Sequence, residues 1–222
     1  MRTALAAACA LLGACDGSGG SEAPWPEGTV LGIHFAGERV AIRAEDVDEW
    51  LEAFAAVEPA YTRPALRRLA LTNLVLPRAI GGLIDPAERR AARERAERAR
   101  ADRVAGDAAE PPSAEPGSFE TLSGGYADVG LDVWARARAV ETGAWSPVFE
   151  TVAGWCFFRL LEAPPRPWSR KTAITVERAI FPYLDLDPRG LIESAIDESR
   201  LTIVDPAWKD ILPATYRYRM DG

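Results

Sequence analysis

Residues 143–162, GAWSPVFETVAGWCFFRLLE, constrain this chain more than any other stretch. Gly143 opens it as a turn former. Pro147 fixes its own φ and pushes Ser146 into an extended conformation. Val148, Phe149, Glu150 and Thr151 are a short strand by residue type. Ala153 and Gly154 supply a tight turn. A second strand follows from Trp155 to Leu161. Strand alternation sends Trp155, Phe157 and Leu161 one way, with Arg159 among them, and Cys156, Phe158 and Leu160 the other. A strand apolar on both faces must be covered on both, which makes it a central strand.

The order of residues in this region resembles the C-terminal half of a parvulin-type peptidyl-prolyl isomerase domain. The resemblance rests on a helix ending near Val140, then Gly143, Ser146-Pro147-Val148, Thr151 and Gly154-Trp155, then a strand closing in Leu160-Leu161-Glu162. Upstream, Phe119, Leu122 and Gly124-Gly125 resemble the helix end and Gly-Gly loop of that family. A full parvulin domain has a first strand and a first long helix ahead of that loop, and here only residues 117–122 precede it.

The resemblance implies a site that twists an X-Pro bond across a barrier of about 18–20 kcal/mol without a covalent nucleophile. It implies a pair of His, a Cys or Asp, and an apolar pocket for the proline ring. Cys156 stands at the position of the second family His. Val133, with Trp134 beside it, stands near the ring-pocket Phe. The first His has no match in this half, because the one histidine, His34, lies far upstream. Catalysis is therefore expected to be weak or absent. Cys156 as a nucleophile lacks a visible base, and a buried core thiol is its plain reading. With a single His on a strand, no Ser/His/Asp arrangement is suggested.

The N-terminus carries its own signal. Arg2 followed by the short Ala- and Leu-rich run Thr3 to Leu12 reads as a secretory leader over residues 1–14, too short to span a bilayer. Leu12-Gly13-Ala14-Cys15 resembles a bacterial lipobox, which implies lipid attachment at Cys15. Asp16 resembles the inner-membrane retention signal of enteric bacteria. Residues 15–28 then serve as a flexible tether. With Cys9 removed and Cys15 lipidated, Cys156 is the one free thiol, and an intramolecular disulfide is excluded. One His and one thiol make no zinc site, and no cofactor is expected. A formal charge of −7 gives no basic footprint for nucleic acid.

Residues 29–42 read as a hairpin around Ala36-Gly37-Glu38. Residues 45–56 carry an amphipathic helix, with Val47, Trp50, Leu51, Phe54 and Ala55 on one face. A hairpin followed by an acidic helix start resembles the N-terminal region of SurA-type periplasmic chaperones. A second helix starts at Thr62, with Leu66, Leu69, Ala70 and Leu74 as its stripe. Pro77 is expected to kink or end it, and Gly81-Gly82 to break the chain. Asp85-Pro86 starts a third helix, to about Ala105. It is Arg-rich, with only Ala92, Ala96 and Ala99 as an apolar stripe. It reads as a solvated surface helix, or as a polar wall of a client cradle. Residues 106–118, GDAAEPPSAEPGS, cannot build a core and form a linker.

After the rigid Pro164-Pro165-Arg166-Pro167 comes a strand over residues 172–183, a helix over 188–200 and a short strand over 201–204. The strand must supply the cover that a lone hairpin over 148–161 lacks. Its Arg178-Ala179-Ile180-Phe181 faintly resembles the Arg-His-Ile-Leu of a parvulin first strand, with Ala179 at the His. Pairing with the hairpin over 29–42 is the rival arrangement.

The expected fold class is α+β: an N-terminal hairpin plus helices over 29–105, a shortened parvulin-like segment over 119–165, and a C-terminal strand-helix-strand segment over 166–222 that packs back. The expected function is a lipid-anchored, periplasm-facing chaperone for extended, unfolded polypeptides. Its client groove would be lined by Trp50, Phe54, Val133, Trp134 and Trp155. An active isomerase and a structural envelope lipoprotein are the alternatives.

Overall fold

A computed structural model describes residues 23–106, 117–152, 154–183 and 188–212. The leader, Cys15, most of the tether and the interior of the 106–118 linker lie outside them. Strands β1 (Thr29–Phe35) and β2 (Glu38–Arg43) form the expected hairpin. Its two-residue turn puts Ala36 at φ 51° and Gly37 at φ 83°. Two left-handed residues match the right-handed twist of the strands they join.

The helical region departs from the expected breaks. The segment over 45–56 splits into α1 (Ala44–Asp48) and α2 (Leu51–Val57). At the junction the Trp50 amide donates to Val47 O at 3.2 Å, a tighter i→i−3 turn. Beyond α3 (Arg63–Ala70), neither Pro77 nor Gly81-Gly82 ends the helix. A π-helical turn over Leu71–Val75 leads directly into α4 (Leu76–Ile84). A wider turn ahead of Pro77 relieves the clash that its ring makes inside a regular helix. Gly81 and Gly82 are buried on α4, which packs against α8 (Pro188–Glu198).

Helix α5 (Pro86–Ala105) has the expected bounds, with the Asp85 carboxylate accepting from the Glu88 amide at 2.9 Å. Most of its surface is exposed, as expected of a surface helix, while its small-residue stripe is covered. Ala92 and Ala96 are fully buried, and α5 contacts β5 (Trp155–Glu162) and β6 (Ile174–Phe181). Small side chains permit that close approach, and the long arginine stems cover the flanks.

Residues 119–124 are also corrected. Phe119 and Leu122 lie on strand β3 (Phe119–Gly124), not on a helix end. Helices α6 (Tyr126–Val129) and α7 (Leu131–Ala137) follow, then β4 (Phe149–Glu150). The four strands form an antiparallel sheet in the order β3-β6-β5-β4. Strand β6 lies between β3 and β5, with Phe119↔Ala179 on one side and Phe157↔Ala179 on the other. The downstream strand thus pairs with the 148–161 hairpin. The C-terminal strand β7 (Arg200–Ile203) pairs with β1, giving a second antiparallel sheet, β2-β1-β7.

Strand β5 is buried on both faces. Phe157 joins Ala179, Phe181 and the N-terminal helices in one core. Cys156, Phe158 and Leu160 join Val133, Trp134 and Val176 in a second core under α7. Phe157 and Phe158 are each wholly buried, which stabilises the fold by about 1.5–3 kcal/mol per ring. The architecture is mixed α+β with two antiparallel sheets. No helix among the described residues is long and apolar enough to cross a membrane.

Candidate functional site

The positions marked by sequence divide between the two cores. Trp50 and Phe54 are 2% and 4% exposed in the first, with Trp155 half-buried against it. Val133 and Trp134 are 1% and 0% exposed in the second, together with Cys156. They do not converge on one groove. Phe54, Val133 and Trp134 are packing residues, because each sits on the apolar face that its helix turns toward a sheet or a neighbouring helix. The indole of Trp155 donates to Arg89 O at 2.9 Å and ties β5 to α5.

Cys156 is a core thiol. It is fully buried, its Sγ lies 3.7 Å from Phe157 O, and burial pushes its pKa well above the ordinary thiol value. The register also separates the two positions where the resemblance calls for a His pair. Ala179 pairs with Phe157 and shares the first core, whereas Cys156 pairs with Ile180. Across from Cys156, on the same face, stands an isoleucine. His34 lies on β1 in the other sheet.

An opening lies elsewhere, at the junction of α1, α2 and α7. A cleft of about 350 Å³ has Glu49, Trp50, Glu52 and Ala53 on one side and Ala135, Arg136, Arg138 and Ala139 on the other. Arg166, Pro167 and Trp168 close it from the loop after β5. Arg166 is fixed by donating from Nη2 to Val140 O at 3.0 Å, past the end of α7. The Trp168 indole donates to Pro164 O at 3.0 Å.

Trp50 borders this cleft beneath two arginines, with guanidinium carbons 4.7 Å (Arg78) and 5.1 Å (Arg136) from its ring centroid. Arg136 also lies 4.8 Å from the Phe149 ring. Burial holds the Arg78 guanidinium below its ordinary value, with the charge of Glu49 acting in the opposite direction. Arg78 is committed to carbonyls, donating to Leu74 O at 3.2 Å and Glu150 O at 3.1 Å. Arg136 is not so committed. Its nearest carboxylate, Glu49, is 3.8 Å away, and its buried Nε has no hydrogen-bond partner. The Trp50 indole nitrogen is likewise buried without one.

Of this cleft, only Trp50 stood out in the sequence. Arg136, Arg138, Glu49 and Trp168 carried no motif; the alternation Ala135-Arg136-Ala137-Arg138-Ala139 was the one available signal. Among the described residues, no group of His, Cys, Asp and Glu could hold a metal ion. In comparison with known proteins, no family model, no curated protein and no solved structure matches the chain.

Proposed function

We propose that this protein is a lipid-anchored folding factor of the bacterial cell envelope, holding extended, unfolded polypeptides on the periplasmic side with little or no prolyl isomerisation. The observation that carries this reading is the position of β6. It lies between β3 and β5 in a four-stranded antiparallel sheet, which supports a downstream strand standing in for the first strand that the parvulin resemblance leads one to expect upstream. The pair on the face where the resemblance calls for histidine is Cys156 and Ile180, a thiol that donates to the carbonyl of Phe157 and an isoleucine. The return of β7 to β1 supports the likeness to SurA-type chaperones, whose C-terminal segment packs back on the N-terminal region. The cleft over Trp50 gives such a protein a surface for binding.

The anchor is the lipid expected at Cys15, with Asp16 favouring the inner membrane. One acyl chain binds only marginally, so stable anchoring calls for more than one. Mass spectrometry of the membrane-fraction protein should find a mature N-terminus at Cys15 carrying diacylglyceryl mass. An unmodified Cys15 would remove the anchor.

The activity is tested with the full chain in lipid nanodiscs. It should suppress aggregation of a chemically unfolded outer-membrane protein at near-stoichiometric ratios and leave the isomerisation rate of a prolyl tetrapeptide near its uncatalysed value. Turnover at rates of active parvulins would make it an isomerase. Failure in both assays would leave a structural lipoprotein.

A further inference from the structure

We infer that the cleft between α1–α2 and α7 takes an acidic side chain of an extended polypeptide, with Arg136 as the group that grips it. This rests on the holding function proposed above and names the chemistry of its client.

The argument begins with hydrogen-bond accounting. Buried donors without acceptors are rare and destabilising. Two of them, Arg136 Nε and Trp50 Nε1, belong to residues lining the same cleft. Arg39 Nε, on β2, is also buried without a partner, but it lies outside this cleft, whereas two other partly buried arginines are saturated. Arg67 donates to both oxygens of Asp48 at 2.7 and 2.6 Å, and Arg89 to both of Glu150 at 2.6 Å each. Arg136 is held against the rings of Trp50 and Phe149, its side chain is part-exposed in the cleft, and its Nη2 lies 3.8 Å from Glu49, outside hydrogen-bond range. A planar guanidinium positioned by aromatic stacking is suited to bidentate capture of a carboxylate.

Charge selects the occupant. Arg136, Arg138 and Arg166 face Glu49 and Glu52 across the cleft. Three positive groups against two negative ones balance a single negative charge, as on Asp or Glu. A dianionic phosphate would meet stronger repulsion from the two glutamates. Ala53, Ala135, Pro167 and Trp168 offer apolar surface to the residues flanking the acid.

The test uses the full chain in phosphatidylcholine nanodiscs and amidated peptides carrying a neutral dye. The peptides share one extended sequence with Glu, Gln or Lys at two central positions. Anisotropy should show the Glu peptide binding about tenfold more tightly than the Gln peptide, the Lys peptide more weakly still. Arg136→Gln should abolish the preference. Glu49→Gln should tighten binding of the Glu peptide severalfold, by removing the competing carboxylate. That gain cannot arise from misfolding, so it decides the matter should Arg136→Gln fail to fold. Equal binding of Glu and Gln peptides would overturn the inference. So would a preference that survives Arg136→Gln, or an unchanged Glu49→Gln. If neutral peptides bind and aggregation is suppressed, the inference falls while the holding function stands; if no peptide binds and aggregation proceeds, both fall.

Discussion

Glu150 accepts both Nε and Nη2 of Arg89 at 2.6 Å each, so the short edge strand β4 is clamped to α5 by one bidentate pair. The Tyr183 hydroxyl donates to the same carboxylate at 3.0 Å, drawing in the chain just beyond β6. Burial, then the charge of Glu150, pushes the Tyr183 phenol well above its ordinary value, and the hydrogen bond to Glu150 keeps the Arg89 guanidinium protonated.

The clamp has a measurable energy. The Glu150 side chain is 13% exposed and that of Arg89 39%, between a surface pair and a fully buried one. Glu150→Gln should cost about 2 kcal/mol in urea unfolding, and a double-mutant cycle with Arg89→Met should show coupling of about 1–2 kcal/mol. Additivity within experimental error would mean that the contact is incidental.

Gly154 is a turn residue at which no side chain fits. It sits at φ 152°, and a methyl there would lie 2.7 Å from Pro182 Cα and closer still to Phe181 O. Both neighbours are backbone and cannot step aside. Gly154→Ala should lose at least about 3 kcal/mol by strain and displacement of β6 from β5. Gly143→Ala is the control, since nothing lies within 4 Å of its added carbon; only its φ of 87° should penalise it, by about 1 kcal/mol.

Asp48 predicts a pH dependence. Its hydrogen bonds from Arg67, joined by Arg63 at 2.9 Å, hold its carboxyl below the ordinary aspartate value, against opposing burial. A folded-state pKa below the unfolded one means that the unfolded state binds the proton more tightly. The contribution is therefore fully present above the unfolded value, near about 3.9, and disappears as pH falls through the folded value. The stability difference between the natural chain and Asp48→Asn should be about 1 kcal/mol at neutral pH and close below about pH 4. A difference independent of pH would assign it to packing.

Cys156 should behave as core, not as a site. Peptide mass mapping after maleimide treatment at pH 8 should find it unlabelled in the folded protein and labelled in urea. Cys156→His should not bring isomerase activity, since Ile180 is its cross-strand partner. It should destabilise the fold by more than about 2 kcal/mol, by placing a polar ring in an apolar core. Rapid labelling of the native thiol would contradict its burial.

The sequence by itself determined the local elements. The 29–42 hairpin follows from its turn residues, α5 from Asp85-Pro86, and the double-faced burial of β5 from its unbroken run of bulky side chains. These are short-range effects of backbone sterics and alternation. It also showed that a strand was missing beside β5, because exposed edges and uncovered aromatic rings are unfavourable anywhere. Tertiary structure decided what depends on contacts between distant residues. Packing on α8 overrode Gly81-Gly82 as a helix breaker, and a π turn absorbed Pro77. Register put Ile180 rather than Ala179 opposite Cys156. Burial made Phe54, Val133 and Trp134 core residues, since an apolar stripe reads the same whether it faces a sheet or a client. The cleft was legible least of all. Arg136 and Glu49 are brought together by the docking of α7 beside α1 and α2, and whether a guanidinium is satisfied depends on distances that no spacing in the chain encodes.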